Sequence, residues 1–185
     1  KVLKNYNNYC EKKHNMTIRQ LMNHTSGFTY GFFGNTPVDK MYQKSQPLNS
    51  KNNQEMVEKL SQAPLLYPPQ SKWHYSIATD VLGHIVETIS QQSLSSFFKG
   101  RIFEPLEMKD TAFYVESKKL PRFASSYGPK WTLVERYNQS YFQIKNRIQS
   151  GGGGLVSTTK DYLRFCQMLL QKGTWKDQQL LQPKT

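Results

Sequence analysis

Apolar residues recur at helical spacing in several stretches of this chain, and proline or glycine interrupts them. After a polar, Asn/Lys-rich opening over residues 1–16, Thr17 reads as an N-cap. Ile18, Leu21 and Met22 then share one helical face, and the pattern stops near His24, before Ser26-Gly27. Asn52 or Asn53 can cap a helix running to Gln62, with Met56, Val57 and Leu60 inward. From about Ile77 the pattern is helical again through Val81, Leu82, Ile85, Val86 and Ile89. Gly83 within it costs about 1 kcal/mol relative to Ala, which close packing against another element would explain. Ser93 can cap a short helix through Phe97 and Phe98, and Pro105 ends the next segment. Ser157 or Thr158 caps a last helix through Leu163, Phe165, Cys166, Leu169 and Leu170, closed by Gly173.

Between these stretches the sequence predicts loops. Residues 25–50 carry Gly27, Gly31, Gly34, Pro37 and Pro47, interleaved with Phe28, Tyr30, Phe32 and Phe33. Aromatics on a loop either pack beneath it or line an apolar pocket. Pro64, Pro68 and Pro69 forbid helix over Ala63–Ser71. Residues 110–150 read as short strands and loops, with Tyr127-Gly128-Pro129 a turn signal. Ser150-Gly151-Gly152-Gly153-Gly154 is a flexible or tightly approached backbone. There is no internal repeat. Helices predominate, and any sheet is a minor part.

Composition narrows the class. With 185 residues and 13% aromatic content the chain can bury a core and is not disordered by composition. No stretch approaches the roughly 18 apolar residues of a transmembrane helix. The net charge is +12, but it is scattered in short clusters at Lys12-Lys13, Lys118-Lys119 and Arg136 to Arg147. That distribution fits a solvated basic surface and carries no nucleic-acid motif. Cys10 and Cys166 are the two cysteines. They form no zinc spacing; Cys166 falls on an apolar helix face, which suggests a buried thiol, and a Cys10–Cys166 disulfide is the alternative. Lys1 at the start and Pro183-Lys184-Thr185 at the end suggest the covered part of something longer.

Candidate chemistry is sparse. His14, His24, His74 and His84 fall into no metal motif, and the pairs Asp80/His84 and His84/Glu87 do not make a zinc site. Leu155 and Val156 follow the glycine run where a phosphate loop needs Lys and Ser/Thr, which excludes nucleotide binding. Two SxxK strings occur, Ser96-Phe97-Phe98-Lys99 and Ser157-Thr158-Thr159-Lys160. This spacing sets a lysine amine beside a serine nucleophile, yet it arises readily by chance, and capping alone explains Ser157. Tyr75 follows a proline-rich approach and stands just before a helix, whose positive end favours an anion. A phenol of pKa about 10 needs such help to act as a base. A hydrogen-bonded loop anchor is the plainer role for it.

The order of segments adds a resemblance. Thr17-Ile18-Arg19-Gln20-Leu21-Met22-Asn23-His24-Thr25-Ser26-Gly27 resembles the TIRQLLTHTSG block of the β-lactamase-related serine hydrolases. That family includes class C β-lactamases, D-alanyl-D-alanine carboxypeptidases and esterases. Trp73 to Ile89, with Tyr75-Ser76, Asp80 and Val81-Leu82-Gly83, is similar to its YS…DVLG block. Ile102 to Thr111 resembles IFEPLGMKDT, and Gly153 to Thr158 with Asp161-Tyr162 resembles GGLVST..DY. The blocks follow family order and cover most of the chain from Thr17 onward.

The resemblance implies an α/β fold of the β-lactamase/transpeptidase type, of which this chain supplies mainly the helical region with few short strands. It implies that residues 1–185 are the central part of one such domain, lacking the upstream SxxK segment and the downstream KTG or HxG strand. The implied reaction is acyl transfer through a serine ester, without cofactor or metal, on a small-molecule ester or amide and not on nucleic acid. The family's catalytic tyrosine maps onto Tyr75, and both literal SxxK strings fall outside the nucleophile's place. Lys184-Thr185 likewise comes too early for the KTG strand. Members of β-lactamase type carry Tyr-x-Asn where this chain has Ile77, and an apolar side chain cannot make the amide contacts of Asn. This favours an esterase-like branch, with a D-Ala-D-Ala carboxypeptidase or penicillin-binding enzyme, or a catalytically dead binding module, as alternatives. The resemblance sets the loop from Phe28 to Phe33 near the active-site mouth and makes Tyr30 a substrate-contact candidate. Much of the family is exported.

Overall fold

Helix boundaries in the computed structural model fall where local capping sets them. The structure describes residues 1–5, 8–10, 15–145 and 147–185. Lys12, Lys13 and His14 lie outside the described residues, and so does the Cys10 side chain. The chain forms two compact units: Lys1–Leu94 with Asn146–Gly154, and Ser95–Lys145 with Leu155–Thr185.

In the first unit, β1 (Val2–Asn5) and β2 (Asn8–Cys10) make an antiparallel pair. Helix α1 (Ile18–Met22) starts at a capping box, with Thr17 accepting from the Gln20 amide and the Gln20 side chain accepting from Thr17. Leu21 is buried while Ile18 and Met22 are exposed. Helix α2 (Pro37–Ser45) corrects the expectation of a loop over residues 25–50. Pro37 occupies the first helical turn, where its missing N–H costs nothing, and Thr36 and Asp39 form a second capping box. Helix α3 (Asn53–Ser61) is capped by Asn52, and Met56 and Leu60 are buried as expected. Helix α4 (Ala78–Ser90) receives both α1 and α3. A Cβ on Gly83 would meet Leu94 Cδ2 at 3.0 Å and Gly151 at 3.5 Å, the close packing that its helix-interior position called for. The core joins Val38, Tyr42, Met56, Leu60, Leu66, Ile77 and Ile148.

In the second unit, α5 (Leu94–Phe98), whose first residue closes the other unit, continues into a π turn over Lys99–Phe103. The pair β3 (Ser126–Tyr127) and β4 (Leu133–Glu135) closes around Gly128, at the expected turn. Helix α6 (Thr159–Leu170) is followed by the hairpin of β5 (Thr174–Trp175) and β6 (Gln178–Gln179). Phe103, Leu106, Met108 and Met168 form its core. Thr158 caps α6, accepting from the Asp161 amide, whereas the Ser157 hydroxyl bonds Thr111 Oγ1 at 2.8 Å. Capping therefore does not account for Ser157; its hydroxyl pair with Thr111, 46 residues away, does.

Cys166 is an exposed thiol, against the expectation of burial, and the alternative of a bond to Cys10 falls on a side chain outside the described residues. The packed face of α6 runs through Asp161, Phe165 and Met168, at helical spacing. Cys166 precedes Met168 by two residues, which turns it about 200° away. Leu163, Leu169 and Leu170 are exposed as well, so the apolar residues of α6 span more than one face. Among the described residues no helix is long and apolar enough to cross a membrane.

Candidate active site

Tyr75 sits in a short segment held from below. The backbone of His24 to Gly27 runs beside residues 66–74. The Leu66 amide donates to Gly27 O at 2.8 Å, Gln70 to Thr25 O at 2.8 Å and His74 to His24 O at 2.9 Å. Gly27 has φ +88°, and a Cβ there would lie 2.0 Å from Tyr67 O, so this close approach demands glycine. The pairing brings the His24 ring within 4.9 Å of Tyr75 and 6.3 Å of Trp73. His24 Nδ1 also faces the buried Ser76 hydroxyl at 3.4 Å. Tyr75 itself is 44% exposed, two residues before Ile77, the N-cap of α4.

The aromatic loop converges on the same place. Tyr30 lies 5.3 Å from Tyr75 and Phe33 6.0 Å, ring to ring. The Tyr30 hydroxyl donates to Asp80 Oδ2 at 3.4 Å. Burial, then the Asp80 charge and then the Tyr75 hydroxyl raise the Tyr30 pKa, so Tyr30 remains a protonated donor at neutral pH. The structure thus brings Tyr30 and Tyr75 together.

Asp80 is the buried centre of this cluster, at 1% exposure. Its Oδ1 accepts from the Ser150 hydroxyl, in a very short contact, and from the Gly152 amide at 3.3 Å. Burial raises its pKa, and the bonds from Ser150, Gly152 and Tyr30 oppose that shift. The glycine run is thereby a tightly approached backbone: a Cβ on Gly151 would sit 2.5 Å from Thr79 O, and one on Gly152 2.9 Å from Asp80 Oδ2. Sequence reasoning weighed Asp80 as a partner for His84 and missed this role. An acidic residue in the first turn of an apolar helix was the available signal. His84 instead faces the Thr88 hydroxyl, and Glu87 accepts from the Leu94 amide.

A second buried network supports the loop. Thr29 Oγ1 donates to Asp39 Oδ1 at 2.8 Å and accepts from the Gly31 amide at 3.1 Å, and His74 Nε2 reaches it at 3.3 Å. Burial lowers the His74 pKa, opposed by the Asp39 charge. The described residues hold no group of three or more metal-ligating side chains.

Neither literal SxxK string forms a comparable arrangement. Ser157 is engaged with Thr111, and the Lys99 ammonium faces Glu104 at 3.7 Å. A cleft of about 530 Å³ lies wholly in the second unit. Its Lys119 and Arg122 are paired with Asp110, which leaves structural ion pairs there.

The sequence matches the Beta-lactamase family over residues 5–185. An uncharacterized Mycobacterium tuberculosis protein is 34% identical over 172 residues, 91% of this chain and 42% of that one. Esterase EstB of Burkholderia gladioli is 29% identical, over 83% of this chain and 44% of its own length. Penicillin-binding protein 4* of Bacillus subtilis is 29% identical, over 84% and 36%. The solved structure of EstCE1, a hydrolase with promiscuous acyltransferase activity, superposes with a TM-score of 0.73. It is 25% identical and is covered over 48% of its length by 91% of this chain. This chain therefore spans less than half the length of these relatives. With a family match over nearly its whole length and a β-lactamase/transpeptidase-like fold, the chain belongs to the β-lactamase family of acyl-transferring serine enzymes.

Proposed function

We propose that the protein to which this chain belongs is an esterase-like serine hydrolase in which Tyr75 moves the proton. The SxxK serine and lysine, and a KTG or HxG strand, come from segments outside these 185 residues, as the partial coverage of the relatives supports. In acylation the serine oxygen adds to the ester carbonyl and its proton passes to the Tyr75 oxygen. The bond to the alcohol then breaks, and Tyr75 returns the proton to the departing alkoxide. Water hydrolyses the acyl-serine in a second round. The lysine of the SxxK segment supplies the positive charge that the base role of Tyr75 requires. Tyr30, fixed as a donor toward Asp80, contacts the substrate.

The observation that carries this reading is the exposed Tyr75 ring among Tyr30, Phe33 and His24. Ile77 favours esters over β-lactams. It is fully buried in the core, so the position offers no amide to a substrate. In the full-length protein, Tyr75→Phe is expected to lower p-nitrophenyl butyrate turnover by at least about 100-fold, the usual scale of a lost proton-transfer group. Unchanged turnover would remove Tyr75 from the mechanism. The 185-residue chain alone is expected to be inactive, and Tyr75-dependent turnover by it would overturn the assignment of serine and lysine to other segments. The similarity to Penicillin-binding protein 4* favours one second reading, a penicillin-binding enzyme. Covalent labelling of the full-length protein by a fluorescent penicillin separates the two.

A further inference from the structure

The loop after Gly27 holds two phenylalanines in solvent. Phe32 is 63% exposed and Phe33 61%, and their ring centroids are 4.5 Å apart. Phe32 stacks on Tyr30 at 5.1 Å with 21° between planes, and Phe33 stands 6.0 Å from Tyr75. The apolar surface is therefore continuous from Phe32 through Phe33 and Tyr30 to Tyr75.

The backbone beneath these rings is fixed. Gly31 adopts φ +84°, and a Cβ there would meet Tyr42 Cβ at 2.6 Å. Its amide donates to Thr29 Oγ1, and its carbonyl accepts from Gln43 Nε2 at 2.6 Å. Thr29 is bonded in turn to buried Asp39. Phe28 and Tyr30 pack against the core, so the same loop buries some aromatics and presents others. A loop anchored this way keeps Phe32 and Phe33 outward, with both rings resting on Tyr30.

We propose that Phe32 and Phe33 select the alcohol side of the substrate, and that the preferred esters carry an aromatic or bulky apolar alcohol. The inference rests on the role given to Tyr75 above. If Tyr75 hands its proton to the departing alkoxide, the group attached to that oxygen leaves past Tyr75. The surface continuous with Tyr75 must then stay open to substrate, and it meets the alcohol portion first. Aromatic rings recognise such a group by offset or edge contacts over their full faces. Phe32 and Phe33 are specificity-determining residues in this scheme, with no part in proton transfer.

The test compares ethyl butyrate with 2-(1-naphthyl)ethyl butyrate in the full-length protein. Both give the same butyryl-enzyme and release primary alcohols, so kcat/KM differs through the alcohol group. Replacing both rings (Phe32→Ala with Phe33→Ala) is expected to lower kcat/KM for the naphthyl ester roughly 10-fold, within the range of one hydrophobic contact region. Ethyl butyrate is expected to change less than about twofold, and Phe32→Tyr with Phe33→Trp to retain the naphthyl preference. Equal losses on both esters, or a change confined to longer acyl chains on ethyl esters, would overturn the proposal. Equilibrium binding of 2-(1-naphthyl)ethanol, measured by calorimetry, separates this inference from the mechanism it rests on. Ring-dependent binding without turnover keeps the surface and rejects the mechanism. Turnover with ring-independent binding and selectivity does the reverse, and failure of both rejects both.

Discussion

Two carboxylates in this chain are shifted in opposite directions, for reasons visible at single residues. Asp110 accepts from Arg122 at 2.8 Å and faces the Lys119 ammonium at 3.0 Å, which holds its pKa down at about 2. Its folded pKa lies below the unfolded value of about 3.9. The ion pairs therefore stabilise the second unit above pH about 4, and that contribution is lost as pH falls toward about 2. Because the pairs are partly solvated, the loss amounts to no more than about 1 kcal/mol. Asp80 behaves the other way: burial raises its pKa despite three donors. Its effect on stability is most favourable below the unfolded pKa of about 4 and weakens as pH rises through the folded value. Urea unfolding against pH is expected to show an acid-side deficit that Asp110→Asn reduces, Glu55 and Glu107 supplying part of the rest. Asp80→Asn is expected to flatten the decline on the other side. Equal slopes in wild type and both variants would contradict these assignments.

Among elements, helix α4 is fixed by what its glycine neighbours permit. Gly83→Ala gains about 1 kcal/mol of helix propensity but presses a methyl against Leu94 Cδ2 at 3.0 Å. Leu94 is fully buried, so the overpacking offsets the gain and the net change is expected to be small. Gly151→Ala has no such compensation. Its Cβ would meet backbone, Thr79 O at 2.5 Å, and the glycine turn would have to move away from α4. A destabilisation of about 2–3 kcal/mol by thermal or urea unfolding is expected, with the Ser150 and Gly152 bonds to Asp80 weakened together. If Gly83→Ala proves the more damaging, the close approach of the glycine run to α4 is misassigned. Helix α2 makes a related point about legibility. Thr36-Pro37-Val38-Asp39 carries a complete start signal, yet a reading that counts proline as a breaker turns it into loop.

At the scale of the whole molecule, apolar surface is left in solvent. Leu170 is 84% exposed, and Leu163, Leu169, Trp131 and Ile89 are exposed too. Single exposed leucines are ordinary, but the successive ones on α6 form a stripe. The 185-residue chain by itself is expected to bind an apolar dye such as ANS and to associate at high concentration. Leu170→Lys should reduce dye binding and change unfolding stability by less than about 0.5 kcal/mol, since little packing is lost. A large loss of stability would mean that Leu170 is packed in solution. At the same scale, the chain spans less than half the length of these relatives.

What the sequence determined was local or ordered by family. Thr17, Asn52 and Thr158 each satisfy an amide three residues on, so helix starts at these points follow from neighbouring residues alone. The order of the blocks from Thr17 to Tyr162 likewise identified the fold before any contact was known. Tertiary structure decided what depends on partners far along the chain. Tyr30 meets Asp80 across 50 residues and Ser150 meets it across 70, and no periodicity encodes such pairs. Which side of an amphipathic helix is covered was settled the same way, for Cys166 as for the leucines around it. Burial is set by the packing of other segments, and a helix with apolar residues on more than one face does not specify which face they will cover.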